Sequence, residues 1–380
     1  ADRVLREVAG EVVNEVERGR VAWSNELVLH VIELKANGPA PRLEGLDDLF
    51  QANVREVDAL AARSGGRLMP TAMHPWMDPV RETVLWPHGH NEIYATFNRI
   101  FDCRGHGWSN LQSAHLNLPF RGDDEFGRLH AAIRLVLPLL PALAASSPVH
   151  GGRANGIADN RLAFYWDNSR KIDSITGQVV PEDVFSSAEY EERIYRRLRA
   201  DIAPHDPEGV LEDVWLNARG AIARFDRGAI EIRILDVQEC PKADLAIHAA
   251  VVETLRALVA GRWEDGAAQR RHATEPLSRL LRRTVDGAET TSVEDASWLR
   301  ALGFPGRPPV PMGDVWRHLV ETLPLAPWRP TLDAILDRGP LSRRIARALG
   351  GVVEPPRERL REAYRELSDC LVEGRLFGVP

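Results

Sequence analysis

The residues whose types and spacing could do chemistry begin with Ala229-Ile230-Glu231-Ile232-Arg233-Ile234-Leu235-Asp236. Side chains alternate across a strand, so the isoleucines at 230, 232 and 234 share one apolar face and Glu231 and Arg233 share the other. A carboxylate beside a guanidinium on an open sheet face has two readings. It is an ion pair on a solvated surface, or part of a concave face that carries a metal ion and an anionic substrate. Ser113-Ala114-His115-Leu116-Asn117-Leu118 repeats the pattern and sets His115 and Asn117 on one face. An imidazole nitrogen and an amide oxygen together suit a divalent metal or phosphate oxygens. Glu26 and Glu33 stand seven residues apart, with opposite parity in a regular strand. They serve one site only if a turn or bulge intervenes; otherwise one is a surface carboxylate.

Arginines gather around a long polar stretch and ahead of Glu231: Arg153, Arg161, Arg219 and Arg224. Forked guanidiniums suit carboxylate and phosphate ligands. The segment Trp86-Pro87-His88-Gly89-His90, with His106, invites a zinc reading, although its spacing fits no standard site and no cysteine pair supports it. Cys103 near His106 resembles a thiol–imidazole nucleophile, against the plainer reading of a free thiol beside a loop.

Composition narrows the classes. The chain has 380 residues, 44% hydrophobic and 27% charged, enough to bury a core without disulfides or a structural metal. Its net charge of −7 argues against general nucleic-acid or anionic-membrane binding. Only Lys35, Lys171 and Lys242 among the 48 basic residues are lysines, and none sits in a P-loop context. Three scattered cysteines point to free thiols in a reducing cytoplasm. The longest apolar run, Leu135 to Ala145, is broken by Pro138 and Pro141, so no membrane span is expected.

Elements must position these residues. Apolar spacing predicts helices over Asp2–Val8, Leu43–Ala62, Asn91–Phe101, Glu125–Leu143 and Tyr190–Ile202. Alternation predicts strands over Ser113–Leu118 and Ala229–Val237. A Pro-, Trp- and His-rich loop spans Met69 to His90. Ser146 to Gln178, rich in Gly, Asn, Asp and Ser, is long enough to be an active-site loop. From Ala243 onward the chain reads as all helix, and Leu360, Ala363, Tyr364, Leu367 and Leu371 form a stripe behind Pro355-Pro356. The expected class is α+β, with a sheet-and-helix part over 1–242 and a helical part over 243–380.

Several segments together resemble the glutamate–cysteine ligase family, specifically its bacterial carboxylate–amine ligase branch. They are Asn25–Lys35 (NELVLHVIELK), Thr71-Ala72-Met73-His74-Pro75, Gln112–Phe120 (QSAHLNLPF), Leu137–Arg161, and Trp215–Gln238 (WLNARGAIARFDRGAIEIRILDVQ). They occur in the family's order across roughly the first 260 residues. The resemblance implies a glutamine-synthetase-like fold, whose curved, mainly antiparallel sheet holds divalent ions against ATP. It implies phosphorylation of a glutamate γ-carboxylate, then displacement of phosphate by an amine. It points to Glu26, Glu33, His115 and Glu231 as metal ligands (Mg²⁺, with Mn²⁺ an alternative) and to Glu231 and Arg233 as catalytic. Asn117, Arg153 and Arg219 are implied on the nucleotide or the substrate carboxylates. Small-molecule substrates and a homodimer are expected, with no nucleic acid and no membrane.

Two departures qualify this. The family's first strand carries a Glu-x-Glu pair that would precede Ala1, so the expectation is that this strand is missing. His115-x-Asn117 stands where relatives commonly read His-x-His, and Lys35 where they tend to have Thr, so cysteine is not assumed as the amine. A non-catalytic relative acting as a binding or partner subunit is the alternative. A metal-dependent hydrolase built on the His-rich loop is a third reading.

Overall fold

The computed structural model describes residues 1–379. After a helix at Asp2–Ala9, three short strands form an antiparallel meander: β1 (Glu15–Arg18), β2 (Val21–Asn25) and β3 (Ile32–Ala36), in that spatial order. Trp23 is buried at its centre and donates its indole N–H to Asn53 Oδ1 at 2.8 Å. Asn53 lies on the Leu46–Arg63 helix, whose apolar face was anticipated from Leu43 to Ala62. Val4, Leu5, Val21, Trp23, Val57 and Trp86 make a small core between meander and helices.

Next come β4 (Ser113–Pro119), the two-residue hairpin β5 (Val149–His150) and β6 (Arg153–Ala154), then β7 (Ala221–Arg224) and β8 (Ala229–Asp236). β8 runs antiparallel between β4 and β7. Its three isoleucines are fully buried in the main core, as alternation requires. Register puts Ala114 opposite Leu235 and Leu116 opposite Ile232, so Arg233 and Ile234 together face His115 alone. Such a bulge bends the strand and re-aims the side chains beside it. The main core runs on without a break through Leu245, Val251, Leu281, Trp298, Trp316 and Leu332, so the helices after residue 242 pack on the same hydrophobic mass as β8.

The helix expected over Glu125–Leu143 is present and runs through both prolines, and two other expectations need correcting. An α-helix at Gly122–Val136 passes through a 3-10 turn at Leu137–Leu139 into another at Leu140–Ala144, and each proline sits in the first turn of its segment, where a missing N–H costs least. Gly122–Ala144 is therefore long and apolar enough to cross a membrane, yet 94% of its apolar window is buried inside the protein, as befits a core helix. Ser146–Gln178 is not one loop. It contains the β5–β6 hairpin, a helix at Asn160–Asp167 capped by Asp159, and a turn at Asp173–Thr176. Its buried polar residues Ser146, Ser147, Asp159 and Asn160 cap and cross-link this small structure. Finally, the C-terminal part is not wholly helical, since β9 (Ser292–Val293) pairs antiparallel with β10 (Val310–Pro311). The terminal helix, Arg357–Glu373, does bury the stripe from Leu360 to Leu371.

Candidate active site

The face of β8 opposite its isoleucines carries Glu231, only 7% exposed. Its carboxylate is shared. Oε1 lies 3.5 Å from His115 Nδ1 and 3.5 Å from Arg233 Nε, and Oε2 lies 3.7 Å from Arg224 Nη1. Asn117 is the cross-strand partner of Glu231 on β4. Burial, reinforced by the Arg233 cation, pushes the His115 imidazole down to about 4 despite Glu231. At neutral pH it is uncharged and able to offer a ring nitrogen, while its Nε2 shares a 2.8 Å hydrogen bond with Ser113 Oγ.

Glu26 and Glu33 meet because a turn separates them, which was the condition their spacing imposed. β2 ends at Asn25, and the chain reverses through Val28, which bridges to Leu85, before β3 resumes. Glu33 pairs across the ladder with Ser24, whose hydroxyl donates to Glu33 Oε2 at 2.9 Å. Lys35 Nζ lies 2.6 Å from Glu15 Oε2 and 3.6 Å from Glu33 Oε2. Burial and the neighbouring Glu33 carboxylate push the Glu26 carboxyl up to about 7, partly offset by Arg233 and Lys35.

Arg233 joins the two halves. Its cation is held by Tyr165, Glu231 and Glu26 against the cost of burial, and its Nη1 donates to the Asn217 carbonyl at 3.2 Å. Tyr165 escaped the sequence reading because its helix lies inside the stretch taken for a loop. The available signal was Arg161-x-x-x-Tyr165, one helical turn apart. Arg161 is buried in an ion pair with Asp236 at the end of β8. Asp236 Oδ2 also accepts from Ser146 N at 2.8 Å and Ser147 Oγ at 3.0 Å. Asp159 is pushed well above the carboxylate range by burial and by Asp236.

Other expected residues lie elsewhere. Arg219 is 1% exposed and clamps Glu182 at 2.5 and 2.6 Å, with Nη1 donating to Ser174 O and Asn217 Oδ1. Every nitrogen is engaged within the protein, so it has no free edge for a phosphate. Arg153 sits in the β5–β6 hairpin with its side chain 63% exposed, paired to Glu354 at 2.8 Å. The zinc reading does not assemble: His88 faces Asp2 at 3.7 Å, His90 caps a helix in left-handed backbone, and His106 bonds Asn110. Cys103 is buried and its thiol is pushed up to about 12, which removes the nucleophile reading.

The donors suit a hard divalent cation in kind, because the Glu26–Glu33 pair is short of positive charge and carboxylate oxygens are the ligands such ions take. In arrangement they form two pairs, Glu26 with Glu33 and Glu231 with His115, on either side of Arg233. Among the described residues no group of three or more His, Cys, Asp or Glu side chains is gathered for one ion.

The strands β4 and β8 thus set acids, an imidazole and an arginine on one face of an antiparallel sheet backed by helices. Residues 3–303 match glutamate–cysteine ligase family 2 (GCS2), and the chain belongs to that family. It is 37% identical to an uncharacterized protein of Archaeoglobus fulgidus over 260 residues, 68% of this chain and 69% of the relative. Two proteins of Bradyrhizobium sp., strains BTAi1 and ORS 278, are each named "Putative glutamate–cysteine ligase 2". They are 28% and 26% identical over 211 residues, which is 54% of this chain and 44% of each of them.

Proposed function

We propose that this protein is an ATP- and Mg²⁺-dependent carboxylate–amine ligase that activates a glutamate-type carboxylate as an acyl phosphate and joins it to an amine. The observation that carries the reading is the position of Arg233, in a chain of this family, between the Glu26–Glu33 pair and the Glu231–His115 pair. A substrate carboxylate oxygen attacks the terminal phosphorus of ATP and ADP leaves. The amine nitrogen then attacks the acyl carbon, phosphate departs, and the amine proton passes to a carboxylate or to solvent. Arg233 supplies a fixed cation where negative charge accumulates. Glu26, Glu33, Glu231 and the neutral His115 are the groups that would hold Mg²⁺, or Mn²⁺, and the ion's contribution when bound is to neutralise phosphate oxygens. With a net charge of −7, the chain draws in a polyanion through these local cations and not through its overall field.

Purified protein should hydrolyse ATP only when Mg²⁺, a carboxylate substrate and an amine are all present. Glu231→Gln, which removes the charge shared by His115, Arg224 and Arg233, should cut turnover at least a hundredfold, on the order of what one electrostatic group supplies. Wild-type protein that binds no nucleotide by calorimetry with Mg²⁺ present would sink the reading. A second reading, a non-catalytic relative serving as a binding or partner subunit, draws on one observation: no three metal-binding side chains are gathered among the described residues. Nucleotide binding without any turnover across a panel of amino acids and amines would favour it.

A further inference from the structure

Two buried hydrogen-bond donors beside Arg233 lack an acceptor. Arg161 is 1% exposed and spends Nε on Asp236, but its Nη2 has no hydrogen-bond partner among the described residues. The buried Tyr165 hydroxyl has none either. The two residues stand four apart on the Asn160–Asp167 helix and so share a face. That helix is fixed at its start, where Asp159 Oδ1 accepts from Leu162 N at 2.8 Å, and its Arg161 is tied to the end of β8. Arg233 lies against the Tyr165 hydroxyl oxygen, to which a guanidinium can only donate, so the tyrosine O–H proton is left without an acceptor. Four acids lie near these donors and each is engaged: Asp236 by Arg161, Ser146 and Ser147, Asp159 by the Leu162 N–H, Glu231 by His115, Arg224 and Arg233, and Glu26 by the Leu27 N–H. Buried polar groups are almost always paired, so orphaned donors that converge mark a place where a ligand brings the acceptor.

We propose that Arg161 Nη2, the Tyr165 hydroxyl and Arg233 form an oxyanion subsite that takes a carboxylate or phosphate oxygen. The inference deepens the ligase reading and rests on it for the identity of the anion. Tyr165 supplies a neutral O–H, the two arginines supply charge, and together they select a small anionic oxygen over a neutral carbonyl. Tyr165 is the residue to test, because Tyr165→Phe removes one buried oxygen and keeps the ring.

The experiment is calorimetric titration of the full chain, wild type and Tyr165→Phe, with inorganic phosphate, with L-glutamate and with Mg-ATP, alongside thermal unfolding without ligand. The expected result is that phosphate or glutamate binds wild type and that the variant binds it roughly five- to tenfold more weakly, as loss of one hydrogen bond predicts. The variant's unliganded melting temperature should not fall, whereas a purely structural hydroxyl would lower it on removal. A loss confined to glutamate assigns the subsite to the substrate carboxylate, and a loss with phosphate and Mg-ATP assigns it to the phosphate. Unchanged affinities in the variant, or no anion binding by wild type, would overturn the subsite. Failures separate cleanly: turnover with unaltered KM in Tyr165→Phe leaves the ligase reading and removes the subsite. Tyr165-dependent phosphate binding without turnover does the reverse.

Discussion

Replacing Glu26 with glutamine should stabilise the protein at alkaline pH and leave it unable to respond to Mg²⁺ as the wild type does. Glu26 is held at about 7 in the folded state against an ordinary 4.5, first by burial and then by the Glu33 carboxylate. Between those two values the folded chain holds a proton that the unfolded chain has released. Stability from this group is therefore full below about 4.5 and is lost as pH rises through 7. At about 1.4 kcal/mol for each tenfold change, the ceiling on that loss is about 3 kcal/mol. Glu26 is only partly buried, so about 1–3 kcal/mol is the expected range. Glu26→Gln cannot ionise and should be more stable than wild type by that amount at pH 8, with no advantage at pH 4.5. Mg²⁺ should close the gap at pH 8, since on the proposed function Glu26 and Glu33 would hold a divalent ion in place of the missing proton, adding about 2.7 kcal/mol at a hundredfold excess over its Kd. Urea unfolding of both proteins at several pH values, with and without MgCl₂, measures this. The difference between the two matters, because the buried histidines titrate in both. A difference that stays flat from pH 4.5 to 8 would refute the coupling, and equal Mg²⁺ responses would remove Glu26 from the metal set.

Two further outcomes follow from the packing. Arg161→Ala should cost about 3–5 kcal/mol in chemical unfolding, because it strands Asp236 in the interior, and joint replacement of both partners by apolar residues should recover most of that. Gly127→Ala, normally favourable within a helix, should instead destabilise by about 1–3 kcal/mol, because the new Cβ would lie 2.5 Å from the Phe185 carbonyl oxygen and 2.9 Å from Arg270 Nη2. A variant as stable as wild type in either case would mean the contact is not held in solution.

The parts of the fold that were legible in the sequence are those with a period. Isoleucines at every second position announced β8 and its two faces, and helical spacing announced the Leu46–Arg63 and Arg357–Glu373 helices. That Glu231 and Arg233 would lie together followed from alternation alone, and His115 with Asn117 from the same rule on β4. The pairing of these two strands is tertiary and left no local trace. The Ser146–Gln178 stretch misled because its serines, asparagines and aspartates read as loop by composition, whereas they cap a helix and ligate Asp236. Tyr165 was lost with it. Arg153 and Arg219 could not be sorted from Arg161 or Arg233 by type, since an arginine serving Glu182 and one facing a substrate differ only in what the fold sets beside them.

The measurement that bears most directly on the central claim is the fate of a carboxylate oxygen. Glutamate labelled with ¹⁸O in its side-chain carboxyl would be incubated with the full-length protein, Mg-ATP and a panel of amines, and the released phosphate examined by mass spectrometry. Activation as an acyl phosphate predicts one ¹⁸O transferred into phosphate for each ATP consumed, and a rate of label transfer at least a hundredfold lower for Glu231→Gln. Phosphate released without label, or no ATP consumed with any carboxylate and amine, would contradict it.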